Sequence, residues 1–217
     1  MNDGLTERGL RLRLVAAARR LVDIGISPAT SGNVSARVDG GFIVTPSGVA
    51  YESLHPDDLV FLGPDGERGG GQREPSSEWR MHRDIYATFP AAGGVVHVHS
   101  PYATTLACMR RPIPSFHYEV ALAGGMDIPC AGYATFGTQE LSDLALAALK
   151  DRRACLLANH GAIAWSDNVD AAALLAERVE FLARVYWQAL QVGEPELLNV
   201  AEMDHAGAKF ERYGKQR

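Results

Sequence analysis

The stretch Val95-Val96-His97-Val98-His99 decides how this chain folds, and the rest of its 217 residues can be read outward from it. It is short, apolar and bounded by glycine, the pattern of a buried strand. Side chains alternate along a strand, so His97 and His99 project from the same face. Zinc takes nitrogen and sulfur donors in tetrahedral geometry, and two imidazoles side by side on a rigid strand are half of such a site. The plain alternative is a pair of polar histidines hydrogen-bonded near the core. A third donor is available in Asn159-His160-Gly161, a turn that follows an apolar strand over 154–158. His160 alone reads as a surface turn histidine. Taken with the pair, three histidines and an open fourth position match a catalytic rather than a structural zinc.

Toward the N-terminus, apolar residues at helical spacing predict an amphipathic helix over 5–24, with Gly25 just past its end. The turn Thr30-Ser31-Gly32-Asn33 leads into two short strands, 34–38 and 42–45, joined by Asp39-Gly40-Gly41, a hairpin signal. A further strand spans 59–62, and the glycine-rich segment 63–73 reads as a hairpin tip. No Gly-Lys-Ser/Thr follows those glycines, so they do not form a nucleotide-type phosphate loop. Ser76-Ser77-Glu78 opens a helix running through Phe89, with a serine as its N-cap. Toward the C-terminus, helices are predicted over 101–109, 141–149, 169–191 and 202–213, and strands over 154–158 and 162–165. Hairpins outnumber βαβ units, which favours an α/β layered fold around a largely antiparallel or mixed sheet. The length and the lack of any linker point to one domain over residues 1–217.

Composition narrows the function. Hydrophobic residues make up 47% and charged residues 22%, as in an ordinary globular protein, and the net charge is −5 with a pI near 5.8. No long basic run exists to neutralise phosphates, so a nucleic-acid partner is not expected. No apolar run approaches the roughly 20 residues of a membrane span, and Met1–Thr6 lacks a secretory h-region. Cys108, Cys130 and Cys155 are widely spaced and read as buried thiols of a reducing compartment. A cytoplasmic protein is expected.

Two serines and free backbone N–H groups at the start of a helix favour an anion such as phosphate, with Glu78 at the same place. A simple N-cap followed by a solvated glutamate is the alternative. Thr45-Pro46-Ser47-Gly48 and Ser31-Gly32-Asn33 are either turns or loops that let backbone approach a phosphate. His82, one helical turn after Glu78, reads as structural. His55, His117 and His205 have no paired spacing and receive no role.

In this order, Ser31-Gly32-Asn33-Val34-Ser35, Thr45-Pro46-Ser47-Gly48, Pro75-Ser76-Ser77-Glu78, Val96-His97-Val98-His99 and Asn159-His160-Gly161 resemble the class II aldolase/adducin family. The likeness runs from about residue 10 to 214 and is nearest to its L-fuculose-1-phosphate aldolase branch. It implies a three-layer αβα fold with a central, mainly antiparallel (mixed) sheet, and a homotetramer with active sites between neighbouring subunits. By the same resemblance, His97, His99 and His160 ligate one Zn2+ per subunit, and Glu78 serves as acid/base that also approaches the metal. Thr30, Asn33, Ser47, Gly48, Ser76 and Ser77 then hold phosphate. Tyr118 matches a tyrosine that protonates the departing aldehyde oxygen, and Phe136 and Tyr213 line the aldehyde side. The chain departs from that branch at Asn159, where a second histidine is usual, and at Ser47, where a threonine is.

The activity implied is reversible cleavage of a ketose 1-phosphate, like L-fuculose 1-phosphate, to dihydroxyacetone phosphate and a small aldehyde, by enediolate stabilisation. Lys150, Lys209 and Lys215 are the only lysines, and none falls in a motif, which disfavours a Schiff-base route. The same motifs fit an aldolase for 5-deoxyribulose or 5-methylthioribulose 1-phosphate. They also fit a pentulose-phosphate 4-epimerase, which tends to carry aspartate at position 78, and a methylthioribulose-1-phosphate dehydratase. A non-enzymatic, adducin-like interaction module has no reason to keep all three histidines and Glu78.

Overall fold

The computed structural model describes residues 6–28 and 30–212. Helix α1, Glu7–Asp23, begins where the Thr6 hydroxyl accepts a hydrogen bond from the Gly9 N–H at 3.3 Å. The first hairpin follows as β1, Asn33–Val38, and β2, Gly41–Val44, and β3, Val60–Leu62, adds to it. Next come α2, Trp79–Thr88, the strand that opened the reading, β4, Gly94–Val98, and α3, Pro101–Cys108. His99 lies one residue past β4. The short strands β5, Ile113–Pro114, β6, Asp127–Ile128, and β7, Cys130–Ala131, precede α4, Gln139–Ala148. The chain then runs through β8, Ala154–Leu157, β9, Gly161–Ser166, α5, Val169–Leu190, and α6, Val200–Arg212.

Seven strands form one sheet in the order β3-β2-β1-β4-β9-β8-β7, antiparallel at every step except the parallel β7–β8 pair. The sheet is therefore mixed and mainly antiparallel, within what the hairpin signals favoured. Strand alternation divides the core into two layers. Val34, Ala36, Val96, Val98, Leu156 and Ala164 face α1, α3 and α5. Val44, Val95, Leu157, Ile163 and Trp165 face α2 and α4. Burying each large aliphatic side chain contributes about 1.5–3 kcal/mol, so a one-residue slip of β4 would be prohibitive. This register puts His97 on the α2 face, opposite Asn33 of β1. Among the described residues no helix is long and apolar enough to cross a membrane.

Four sequence expectations need correcting. Glu78, not a serine, occupies the N-cap position of α2, and its side chain makes no capping bond because it turns toward the histidines. The last helix begins at Val200 because Asn199 and Glu202 exchange side-chain-to-backbone bonds of 3.1 and 2.8 Å, a capping pair that the apolar pattern does not show. Only Cys155 is buried, Cys130 being intermediate and Cys108 exposed. The strands β5, β6 and β7 were not anticipated, since two residues carry no periodicity. Tyr213, expected on the aldehyde side, lies outside the described residues.

Candidate active site

His97, buried on β4, His99 just beyond it and His160 in the β8–β9 turn form a triangle with ring centroids 4.8 Å apart on each side. Two backbone features bring them together. Asn159 adopts a left-handed conformation, φ 55°, which asparagine and histidine tolerate better than most residues, and this turns His160 back toward the strand. Gly161 starts β9 so close to β4 that a Cβ there would sit 2.4 Å from the Val98 carbonyl oxygen and 3.0 Å from the His99 ring. Only glycine allows that approach.

Glu78 closes the cluster. Its Oε2 is 3.1 Å from His97 Nε2 and accepts from Asn33 Nδ2 at 3.0 Å, and its Oε1 is 3.2 Å from His160 Nε2. The donor atoms of Glu78, His97, His99 and His160 all lie within 4.8 Å of one another. His97 Nδ1 donates to the Ala162 carbonyl at 2.9 Å, which fixes the ring with its Nε2 aimed inward. That Nε2 is 2.9 Å from His99 Nε2, and Glu78 Oε1 is buried without a well-aligned hydrogen-bond partner. Facing nitrogens and an orphaned carboxylate oxygen are costly by themselves and are satisfied together by one cation. The set fits a divalent metal.

Electrostatics keep His99 and His160 in ligand form. Burial pushes His99 and His160 down to about 4, aided by the positive charge of His97, so both rings are neutral near pH 7. Burial also opposes charge on His97, but the Glu78 carboxylate overrides it and raises this ring. For Glu78, burial works upward and is outweighed by His97, His160 and the Asn33 amide, which hold it well below the usual carboxylate range.

Beside the cluster opens a cavity of about 390 Å³ lined by Thr30, Asn33, Ser47, Gly48, Ser76, Ser77, Glu78, His99, Phe136 and His160, ten of the thirteen expected site residues. His97 lies buried behind it. One wall is polar. Ser47 N–H donates to Glu74 O and Ser76 N–H to Thr45 O, both at 3.0 Å, which lays the 45–48 loop alongside the entry to α2. Gly32, at φ 84°, packs against the His97 backbone where a Cβ would come within 2.5 Å of its carbonyl oxygen. Tyr133, Ala134 and Phe136 also line the cavity, as does Asn159. Asn33 spends one amide hydrogen on Glu78 and has one left for a ligand.

Reading the sequence missed Tyr133 and Asn159 as lining residues. Asn159 stands in a quoted motif and Tyr133 does not, and strand and turn patterns do not say which side chain meets a cavity. Tyr118 is not brought to this cavity. It begins a 3₁₀ turn, Tyr118–Ala123, stacks on Phe210 of α6 at 5.8 Å and lines a separate groove of about 1220 Å³ between α5 and α6. His82 is buried and hydrogen-bonded, the structural role expected of it. His55 bonds Asp58 through its backbone at the start of one 3₁₀ turn, the His117 ring accepts from the Glu119 N–H at the start of another, and His205 lines the Tyr118 groove.

Residues 12–187 match the family model described as Class II Aldolase and Adducin N-terminal domain. The chain belongs to the class II aldolase/adducin family. Like this class II aldolase is the 5-methylthioribulose-1-phosphate/5-deoxyribulose-1-phosphate aldolase of Rhodospirillum rubrum, 52% identical over 94% of this chain and 92% of that protein. The 5-deoxy-D-ribulose 1-phosphate aldolase of Bacillus thuringiensis is 42% identical over 95% and 97%. A solved L-fuculose 1-phosphate aldolase superposes with a TM-score of 0.90 at 38% identity, covering 93% of this chain and 96% of its own. The protein is thus an enzyme, a metal-dependent aldehyde-lyase of the class II type.

Proposed function

We propose that this class II aldolase is a zinc enzyme that reversibly cleaves a 5-deoxy- or 5-methylthio-pentulose 1-phosphate to dihydroxyacetone phosphate and a small aldehyde. The observation that carries the reading is one cavity lined by both polar loop residues and aromatic side chains, with the Glu78–histidine cluster beside it. His97, His99 and His160 hold the ion, and zinc suits a site of three nitrogens and a carboxylate. The bound cation supplies positive charge for the oxygen-rich anion left when the carbon–carbon bond breaks, worth several kcal/mol.

The chain's own groups do the rest. Ser47, Gly48, Ser76, Ser77, Thr30 and the remaining Asn33 N–H grip the phosphate and orient the reacting carbons. Glu78, ionised and beside that half of the substrate, moves the proton at the carbon that becomes part of dihydroxyacetone phosphate. Tyr133, Ala134 and Phe136 offer apolar surface to the aldehyde half, which suits a methyl or methylthio end better than a hydroxylated one. Tyr118 protonates the aldehyde oxygen from a neighbouring subunit of a homotetramer, and Tyr213 joins the aldehyde side. Three free cysteines suit a reducing compartment, which supports a cytoplasmic location as part of this reading.

An L-fuculose 1-phosphate aldolase is the second reading, favoured by the likeness to that solved structure. The deciding experiment ranks kcat/KM of metal-loaded enzyme on 5-deoxyribulose, 5-methylthioribulose and L-fuculose 1-phosphates, with dihydroxyacetone phosphate detected by a coupled reductase. The deoxy and methylthio substrates should lead by tenfold or more. A lead for fuculose phosphate would select the second reading, and turnover without dihydroxyacetone phosphate would reject aldol cleavage altogether.

A further inference from the structure

Behind Glu78 runs a row of buried polar groups of which the chemistry above uses only Asn33. Tyr86 Oη lies 2.7 Å from Ser35 Oγ, which lies 2.6 Å from His82 Nδ1, and His82 Nε2 faces Asn33 Oδ1. Asn33 Nδ2 then donates to Glu78 Oε2 at 3.0 Å. All five side chains are more than nine-tenths buried.

The directions of these bonds follow from one another. Glu78 is ionised, so both its oxygens accept, and Asn33 must present its nitrogen rather than its oxygen. Asn33 Oδ1 therefore needs a donor, and His82 Nε2 carries the hydrogen. His82 is neutral, burial having pushed it down to about 3, so its Nδ1 is a bare lone pair. Ser35 donates to that lone pair and accepts in turn from Tyr86. Reversing any one bond leaves two donors or two acceptors face to face without water, which is costly.

We propose that Tyr86, Ser35 and His82 form a hydrogen-bond chain of single polarity that locks the Asn33 amide with its nitrogen toward Glu78, making Ser35 and His82 positioning residues for that carboxylate. The elements close a ring. His82 is one turn after Glu78 on α2, while Asn33 and Ser35 share a face of β1, so the helix that presents Glu78 also carries the group that orients its partner. Moving Glu78 breaks a single bond and leaves its dock intact for the return. The role of the carboxylate rests on the function proposed above, but the polarity of the chain does not.

The polarity is read from nitrogen NMR of metal-loaded enzyme carrying ring-labelled histidine, with H82F identifying the His82 signals. Wild type should show the neutral Nε2–H tautomer, and an Nδ1–H or charged ring would overturn the proposal without reference to catalysis. Kinetics then test positioning. H82F should lower kcat about 10- to 100-fold, the usual cost of losing an outer partner, with metal content kept and KM within threefold. H82Q, which restores a donor toward Asn33, should recover most of the loss. A folded, metal-loaded H82F with wild-type kcat, or equal losses in both variants, would overturn the positioning role. The expected tautomer in a protein that cleaves no ketose 1-phosphate would support the chain and reject the proposed function.

Discussion

His97, His99 and His160 stand on or beside central strands, whereas Tyr118 projects from a 3₁₀ turn at the edge of a groove, half exposed and stacked on α6. The first region is fixed by register. Strand alternation and the close β4–β9 contact at Gly161 set three rings to a common point, and buried valines on both sides hold that register. The second region is held only by the stacking of Tyr118 between the rings of His117 and Phe210, beside a wide hollow. A site held by the sheet can therefore be complete in one chain, while a side chain at a helical margin can wait for a second copy.

That contrast can be broken at several points. The largest effect should come from H97A, which deletes the buried ligand of the proposed metal site. Metal content should fall close to zero and kcat/KM by about 10³-fold or more, since each 1.36 kcal/mol is a factor of ten and the ion supplies several kcal/mol. A variant that still binds one equivalent of zinc with wild-type turnover would remove His97 from the centre. E78Q should keep the ion, because the three rings remain, and lower kcat about 10²- to 10⁴-fold. If it also emptied the site, Glu78 would be a structural ligand first.

Tyr118 tests the other side of the comparison. Y118F should retain metal and lose about 10²-fold in kcat, near the lower end for a proton donor. Mixed assemblies of Y118F and H97A subunits should then recover activity. If one subunit's tyrosine serves its neighbour's metal, random mixing restores roughly a quarter of the wild-type sites. No recovery after verified subunit exchange would mean that Tyr118 does not act across an interface.

The smallest effect concerns acid stability of the metal-free enzyme. Burial holds His82 near 3 in the native state against an ordinary value of 6.5. As pH falls below 6.5 the unfolded chain gains that proton and the native chain does not, so stability drops by about 1.4 kcal/mol per pH unit across the window. His99 and His160, near 4, act in the same sense. His97, raised, acts differently: its contribution is present below 6.5 and is lost only as pH rises through its folded value. Urea midpoints at pH 7, 6 and 5 should fall in that order, and less steeply in H82F. A flat series would show that the cluster is as open to protons as a surface site.

Much of the centre was legible beforehand because its signals are local. His97 and His99 are two apart on a strand, His160 follows an apolar run, and Glu78 opens a helix. The family likeness then joined these pieces. The edges were less legible. The capping pair Asn199–Glu202, the two-residue strands and the exposure of Cys108 depend on contacts that no periodic pattern encodes.

Residue spacing alone favoured a largely antiparallel or mixed sheet through its hairpin signals, and it determined the pairing of His97 with His99, because side-chain direction on a strand repeats every two residues wherever the strand is placed. It also nominated His160 and Glu78 as candidates. Only tertiary structure decided that those two meet the pair, that Asn33 joins Glu78 to His82, and that Tyr118 faces a different hollow. Such meetings depend on which strands become neighbours and how closely their backbones pass, quantities settled by the packing of the whole core.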